Sequence, residues 1–501
     1  MNLLSTLTAT MMCGATAFAG AGDDNPDLNY EALAQQLLDD LGSPDASAAT
    51  FEFEELLQVG FLRANLGAYD LYIVPDDASD KRGAAKYRQV GITLLRAQRK
   101  WLDWMKPTIG EQPELRADLA TVEGWVDSWR ASKLKIAART ANERQGGDLL
   151  VLLDPSEEVK AANERVRAYM AGGKPVGLDR DIPRTETIIL VPNRRRFANF
   201  VAFAGWLRPE LQDTFWIPGI STWTNFYVDE YKVMTTEFAD LGSDGGFGPG
   251  IPMDIDTKTG LEQQITQLAT NSLIDNYFGS KVPPAFAGGL SVNLVVDIYG
   301  ECNTRVDGDL GARRTEAREQ FVPGGNSEGG LLPKTEADSR WRVKRQGGDR
   351  FVDMLKEAQR AGGKKAKRGP MKIARFELQN DDRNKRHTVQ GPFLGAAAAN
   401  LELPPDEFDG DWQEFLRAYR TCFVYWLQNE TTEDREASNL NFAKLLTDLA
   451  NADEVGAIES TVSTNFGGAG LSAADMADTA LETRFLTWLT QARVKPPKVK
   501  F

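Results

Sequence analysis

The chain has 501 residues, 42% of them hydrophobic, enough for two or three domains with ordinary buried cores. Its formal charge of −14 repels nucleic-acid phosphates and anionic lipid at long range and argues against a general affinity for either. The whole chain contains one histidine, which leaves little material for imidazole chemistry of any kind.

The first residues, MNLLSTLTATMMCGATAFAG, are uncharged and mildly apolar and end in Ala17-Phe18-Ala19, a small-x-small pattern of the kind signal peptidase cuts. Residues 1–19 therefore read as a secretory signal, and the mature chain as exported to a periplasmic or extracellular compartment. Cys13 follows Met11 and Met12 instead of a small residue, which speaks against a lipoprotein anchor, and no later run is apolar for long enough to span a bilayer. Removing the signal leaves Cys302 and Cys422, which can pair as one disulfide or stay as buried thiols.

Residues 20–180 read as a helical N-terminal region. YEALAQQLLDDLG, AAKYRQVGITLLRAQRKWLDWM and ELRADLATVEGWVDSWRASKLKIAART carry apolar residues at three- and four-residue spacing with charges between them. Trp101 and Trp104, with Trp125 and Trp129, predict ring packing between two helices; an exposed sugar-binding platform is the other reading.

Character changes near Pro183, and residues 181–306 read as α+β. TETIILVP is a short β-branched run closed by proline, hence a buried strand. RRRFANFVAFAGWL predicts an amphipathic helix, and TWTNFYVDEYKVMTTEF alternates like one or two strands. A helix is then predicted over Lys258–Gly279, with Leu261, Ile265, Leu268, Ala269 and Leu273 on one broad face and Gln267, Asn271, Ile274 and Phe278 on another. Two such faces imply a helix packed on both sides, inside a domain.

Residues 307–348 are polar and glycine-rich, as in FVPGGNSEGGLLPKTEADSR, and read as a long loop or insertion. Residues 349–501 read as a helical C-terminal part, carried by DWQEFLRAYRTCFVYWLQ and ALETRFLTWLTQ. Within it, RAGGKKAKRGPMK is a solvated basic loop or a docking site for an acidic partner, and His387 falls in the charged segment NDDRNKRHTVQG, read as a solvated loop.

The stretch QLATNSLIDNYFG, followed a few residues later by PPAFAGGLS, resembles the active-site region of the secreted bacterial peptidase MA-like (gluzincin) metallopeptidases. Their helix has the form HEATHQLL…FG and is followed by PPWLSEGLAEY, which supplies a third zinc ligand. ATNSLIDNYFG continues in that register, the two prolines fall at Pro283 and Pro284, and the glycine-leucine pair falls at Gly289 and Leu290. ILVPNRRRFANFVAFAGWL and FYVDEYKVMTT resemble the strand–helix and the cleft-bordering strand, and YRTCFVYWLQ and ALETRFLTWL resemble the helical end, so the likeness runs over about residues 185–491. The fold it implies is α+β, predominantly helical, with a zincin-like central part between helical N-terminal and C-terminal regions.

By that resemblance the ligand positions are Gln267, Asn271 and Gly288, and the general-base position is Leu268. Neutral amides are poor zinc ligands beside imidazole, glycine offers no side chain, and leucine cannot accept a proton. The implied protein is a pseudo-peptidase, with no catalytic residue and no metal or other cofactor, whose relic cleft binds a peptide or protein partner. A zinc-independent hydrolase using a carboxylate pair and a cell-envelope scaffold are the alternatives.

Asp229 and Glu230, or Glu237, are the carboxylates placed to serve such a hydrolase. Asp254 and Asp256 in PMDIDTKTG open like a calcium loop, but Ile265 stands where the bidentate glutamate belongs, and an Asx-rich turn is the expectation. The glycines of GGFGPG and FGGAG lack the strand, helix and lysine of a phosphate cradle.

Overall fold

The computed structural model describes residues 29–40, 47–50, 52–58, 61–74, 81–135, 151–172, 184–191, 194–209, 225–228, 231–234, 260–278, 284–300, 302, 355–356, 359, 377–381, 386–390, 412–451, 465–466 and 480–492. These form a predominantly helical α+β protein built on one mixed sheet. The expected signal at 1–19, the loop at 307–348 and the turn at Asp254 and Asp256 lie outside the described residues.

Helices α1 (Tyr30–Asp40) and α2 (Phe53–Gln58) lead into a hairpin of β1 (Leu62–Leu66) and β2 (Tyr69–Ile73). Gly67 opens its two-residue turn at φ 66°, a left-handed conformation that glycine adopts without strain, as the first position of a II′-type hairpin turn requires. Gln98 clamps the turn from α3 (Lys81–Ile109): its Oε1 accepts from Ala68 N at 3.0 Å and its Nε2 donates to Leu66 O at 2.9 Å. The long helix α3 bears its apolar residues at helical spacing and ends at Gly110, whose left-handed backbone returns an N–H to Lys106 O.

Helix α4 (Pro113–Asp127) starts on a proline, which has no N–H to leave unpaired, and lies against α3 where Gly91 gives it room. A Cβ at Gly91 would sit 2.8 Å from Val126 Cγ1. Strand β3 (Val151–Leu152) joins the far side of β1, and α5 (Glu157–Met170) follows, N-capped by Ser156 with Glu157 and Glu158 in its first turn.

Strand β4 (Glu186–Leu190), α6 (Arg194–Leu207), β5 (Asn225–Val228) and β6 (Tyr231–Met234) complete the sheet in the order β3-β1-β2-β4-β6-β5. Strands β2, β4 and β6 run parallel, while β5 lies antiparallel to β6 at one edge. Side chains alternate across the strands. Tyr72, Val74, Ile189, Val191, Tyr231 and Val233 pack with α1, α2 and α6, and Tyr69, Leu71, Ile188, Leu190 and Met234 join the larger core on the other face.

That larger core contains α7 (Gly260–Phe278) and α8 (Pro284–Tyr299), with α9 (Trp412–Asn429), α10 (Arg435–Asn451) and α11 (Ala480–Gln491). Helix α7 packs on α3 and α8, α8 on α9, and α10 on both α9 and α3. A separate hairpin pairs β7 (Glu377–Asp381) with β8 (Arg386–Gln390).

Three readings of the sequence need correction. Residues 20–180 are not wholly helical, because β1, β2 and β3 lie there and pair into the sheet of β4 and β6 across residue 180. His387 lies on β8 opposite Asn380, not in a loop; backbone pairing overrides a charged composition there. Trp101 and Trp104 do not meet Trp125 and Trp129 ring to ring between helices. Trp101 stacks on Tyr277 of α7 at 5.5 Å and 9°, Trp104 meets Phe442 of α10 edge-on, and Trp125 and Trp129 pair with each other.

Candidate functional site

Helix α7 is enclosed along most of its length, although eight of its residues are polar and uncharged. Gln263, Gln264, Thr266, Gln267, Thr270, Ser272 and Asn276 are buried, and Asn271 is half-buried. Such groups must find partners inside the protein or leave their desolvation uncompensated. Several bond within the helix: Thr270 Oγ1 donates to Thr266 O at 2.7 Å, and Ser272 Oγ to Leu268 O at 3.0 Å.

Others tie the helix to its surroundings. The Tyr69 hydroxyl of β2 donates to Ala269 O at 2.7 Å, Asn276 Nδ2 donates to Arg184 O at 3.1 Å, and the Tyr277 hydroxyl donates to Met170 O. Burial pushes the Tyr69 phenol well above its usual range, and the nearby Glu186 and Tyr277 push it the same way. Thr266 Oγ1 and the Tyr299 hydroxyl share a 3.2 Å hydrogen bond to α8. Burial also raises Tyr299, against the lowering effects of Thr266 and Arg96.

Lys232 is the one lysine among the described residues with almost no exposure, at 1%. Its Nζ lies 2.9 Å from Glu186 Oε1 and donates to Ser272 Oγ at 3.2 Å. A serine beside a lysine is the composition of a nucleophile and its base, but here Ser272 is itself 2% exposed and the ammonium faces a carboxylate. The trio joins β4, β6 and α7, and it holds the helix in place.

The positions named by the resemblance are placed as follows. Gln267 and Leu268 are buried, Leu268 as a member of the main core, while Asn271 and Gly288 are half-buried. Gln264, Gln267, Leu268 and Asn271 fall within an arc of roughly 100° on α7, so Leu268 borders the apolar and polar faces at once. Gly288 lies in the second turn of α8, where its carbonyl accepts from Ser291 Oγ at 3.1 Å, and α8 packs along α7.

Two features escaped sequence reasoning. Gln264 is 1% exposed, and both its Nε2 and its Oε1 lack a hydrogen-bond partner. Its spacing from Gln267 and Leu268 was the available signal. The buried Lys232 had none, since a lysine in a strand ordinarily points to water. Asp229, Glu230 and Glu237 lie outside the described residues. Cys302 and Cys422 are buried free thiols, and burial pushes Cys422 strongly upward.

Among the described residues no three His, Cys, Asp or Glu side chains are grouped to hold a metal ion, and no helix is long and apolar enough to cross a membrane. Comparison with protein-family models, with curated proteins and with solved structures finds no match for the chain.

Proposed function

We propose that the chain is an exported, non-catalytic relative of the gluzincin peptidases that binds an extended peptide beside α7, at the half-buried Asn271 and Gly288. The observation that carries this reading is the order of elements: β4 and α6, an antiparallel edge strand β5 beside β6, then the enclosed helix α7 and its companion α8. In a zincin-like arrangement the edge strand offers unpaired backbone groups to a peptide, and the helix below supplies the chemistry. Here the helix supplies the carboxamide of Asn271.

A carboxamide both donates and accepts, so it matches a peptide group without charge. Asn271 is the half-buried carboxamide among these positions of α7, whereas Gln267 is enclosed and has partners of its own. Leu268 offers neither a base nor a ligand, so no proton is taken from water at this position.

The test is direct. The purified chain is expected to carry no stoichiometric zinc, to turn over no peptide or glycoside, and to bind unstructured peptides in a fluorescence-anisotropy screen. Asn271→Arg, which puts a long charge on the half-buried position, is expected to weaken that binding while the thermal melt is unchanged. Stoichiometric zinc, turnover, or binding indifferent to Asn271→Arg overturns the reading.

A further inference from the structure

The face of the β1–β2 hairpin turned away from α7 carries an unusual charge arrangement. By strand alternation Arg63, Asn65, Asp70 and Tyr72 project on this side, opposite to Tyr69 and Leu71, and Arg63 lies directly across from Tyr72. Asp70 is 4% exposed and sits between two guanidinium groups: Arg63 Nη2 donates to its Oδ2 at 2.7 Å, and Arg167 of α5 pairs with its Oδ1. The side chains of Arg63 and Arg167 are only 25% and 21% exposed.

Among the described residues one carboxylate faces the two cations, so the cluster holds an excess positive charge in a place with limited water. Each guanidinium has five donors and gives Asp70 one through the bonds above. Arg63 Nε is buried with no acceptor. Two residues along the same strand face, Asn65 Oδ1 is also buried and unpartnered, and turning that amide over presents Nδ2 in its place. The Tyr72 ring lies under the Arg63 guanidinium at 5.9 Å and limits its swing.

A tie of α5 to the hairpin needs one arginine. A second one, with a buried donor left over and an amide beside it, is the composition that planar recognition of a carboxylate or phosphoryl group uses. We propose that this face binds a compact oxyanion, held by Arg63 and Arg167 with Asn65 completing the donor set and Asp70 fixing the two guanidinium groups in position. The site lies on the far side of the sheet from α7, so it stands or falls separately from the peptide-binding reading.

The test is calorimetric titration of the full chain with inorganic phosphate and, in a second arm, acetate, in chloride buffer. Saturable one-to-one binding with a Kd on the order of 1 mM or tighter is expected in at least one arm. Acetate competing with phosphate on equal terms identifies a carboxylate ligand, and binding of phosphate alone identifies a phosphoryl group. Arg63→Lys keeps a cation beside Asp70 but removes the fork, and is expected to weaken binding about tenfold or more. Asn65→Ala removes no hydrogen bond of the free protein, so it keeps the fold if Arg63→Lys does not, and is expected to weaken binding severalfold. The proposal fails if neither anion binds saturably up to about 10 mM, or if binding is the same in wild type and Asn65→Ala.

Discussion

The ammonium of Lys232 and the carboxylate of Glu186, 2.9 Å apart, join neighbouring parallel strands beneath α7 with Lys232 1% exposed. A buried pair of this kind adds little over an apolar pair of the same shape, but breaking it strands a charge. Glu186→Gln removes the counter-charge from the more deeply buried partner and is expected to destabilise the protein by about 3 kcal/mol or more. Lys232→Met leaves the carboxylate of Glu186, which is 12% exposed and keeps some hydration, so its loss is expected to be smaller. The double variant should recover most of the stability. Urea unfolding of all four proteins gives the coupling directly; additive losses would show that the pair does not act as a unit.

The hairpin turn at Gly67 makes a second demand on the sequence. A Cβ there meets Gln98 Oε1 at 2.3 Å and Val166 Cγ1 at 2.6 Å. Gln98 cannot move aside without abandoning Ala68 N and Leu66 O, and the Gly67 amide is itself bound to Asn163 Oδ1 at 2.8 Å. Gly67→Ala therefore combines a left-handed backbone with a locked neighbour, and a loss of about 2 kcal/mol or more is expected in a thermal or urea melt. Gln98→Ala should cost a similar amount, about 1–3 kcal/mol, by leaving two buried backbone groups unpaired.

These two sites mark where the sequence could and could not be read. The enclosed position of α7 was legible, because apolar residues at two different angles admit no solvent face, and so were β4 and α6, with their β-branched run and helical spacing. The β1–β2 hairpin carried a signal, since Leu62, Ala64 and Leu66 alternate with polar residues before Gly67, but it is short and lies between helical patterns. Contacts such as Tyr69 to Ala269, 200 residues apart, leave no trace in local periodicity. Lys232 reads outward by composition and points inward because Glu186 waits on the adjacent strand. At the candidate site, the lack of metal-binding or basic groups at Gln267, Leu268, Asn271 and Gly288 was plain from residue type, whereas the unpartnered amide of Gln264 needed the packing around it.

Alkaline pH should separate the folded and unfolded states through two tyrosines. Burial pushes Tyr425 up to about 12, reinforced by the negative charge of Glu430, and burial pushes Tyr69 well above its ordinary value. In the unfolded chain both ionise near 10. Above that pH the unfolded state has lost protons that the folded state retains, so stability is intact below about pH 10 and falls as the pH rises through the folded values. Unfolding midpoints measured from pH 9 upward should decline, and Tyr425→Phe should decline less steeply. A flat profile for the wild type, or equal slopes for both proteins, contradicts this account.

Cys302 and Cys422 belong to the same core, both fully buried and both free, and burial disfavours the Cys422 thiolate that a thiol reagent needs. In a chain lacking residues 1–19 a colourimetric thiol reagent is expected to find nothing under native conditions and two thiols in urea, with no reductant present. The rate at which Cys422 appears should track global unfolding, because it lies within α9 in the main core. If thiols appear in urea only after reduction, the two cysteines are bridged and the core packs differently around them. If one reacts at once in the native protein, the segment covering it opens far more readily than its burial implies, and the single core joining α8 to α9 is wrong.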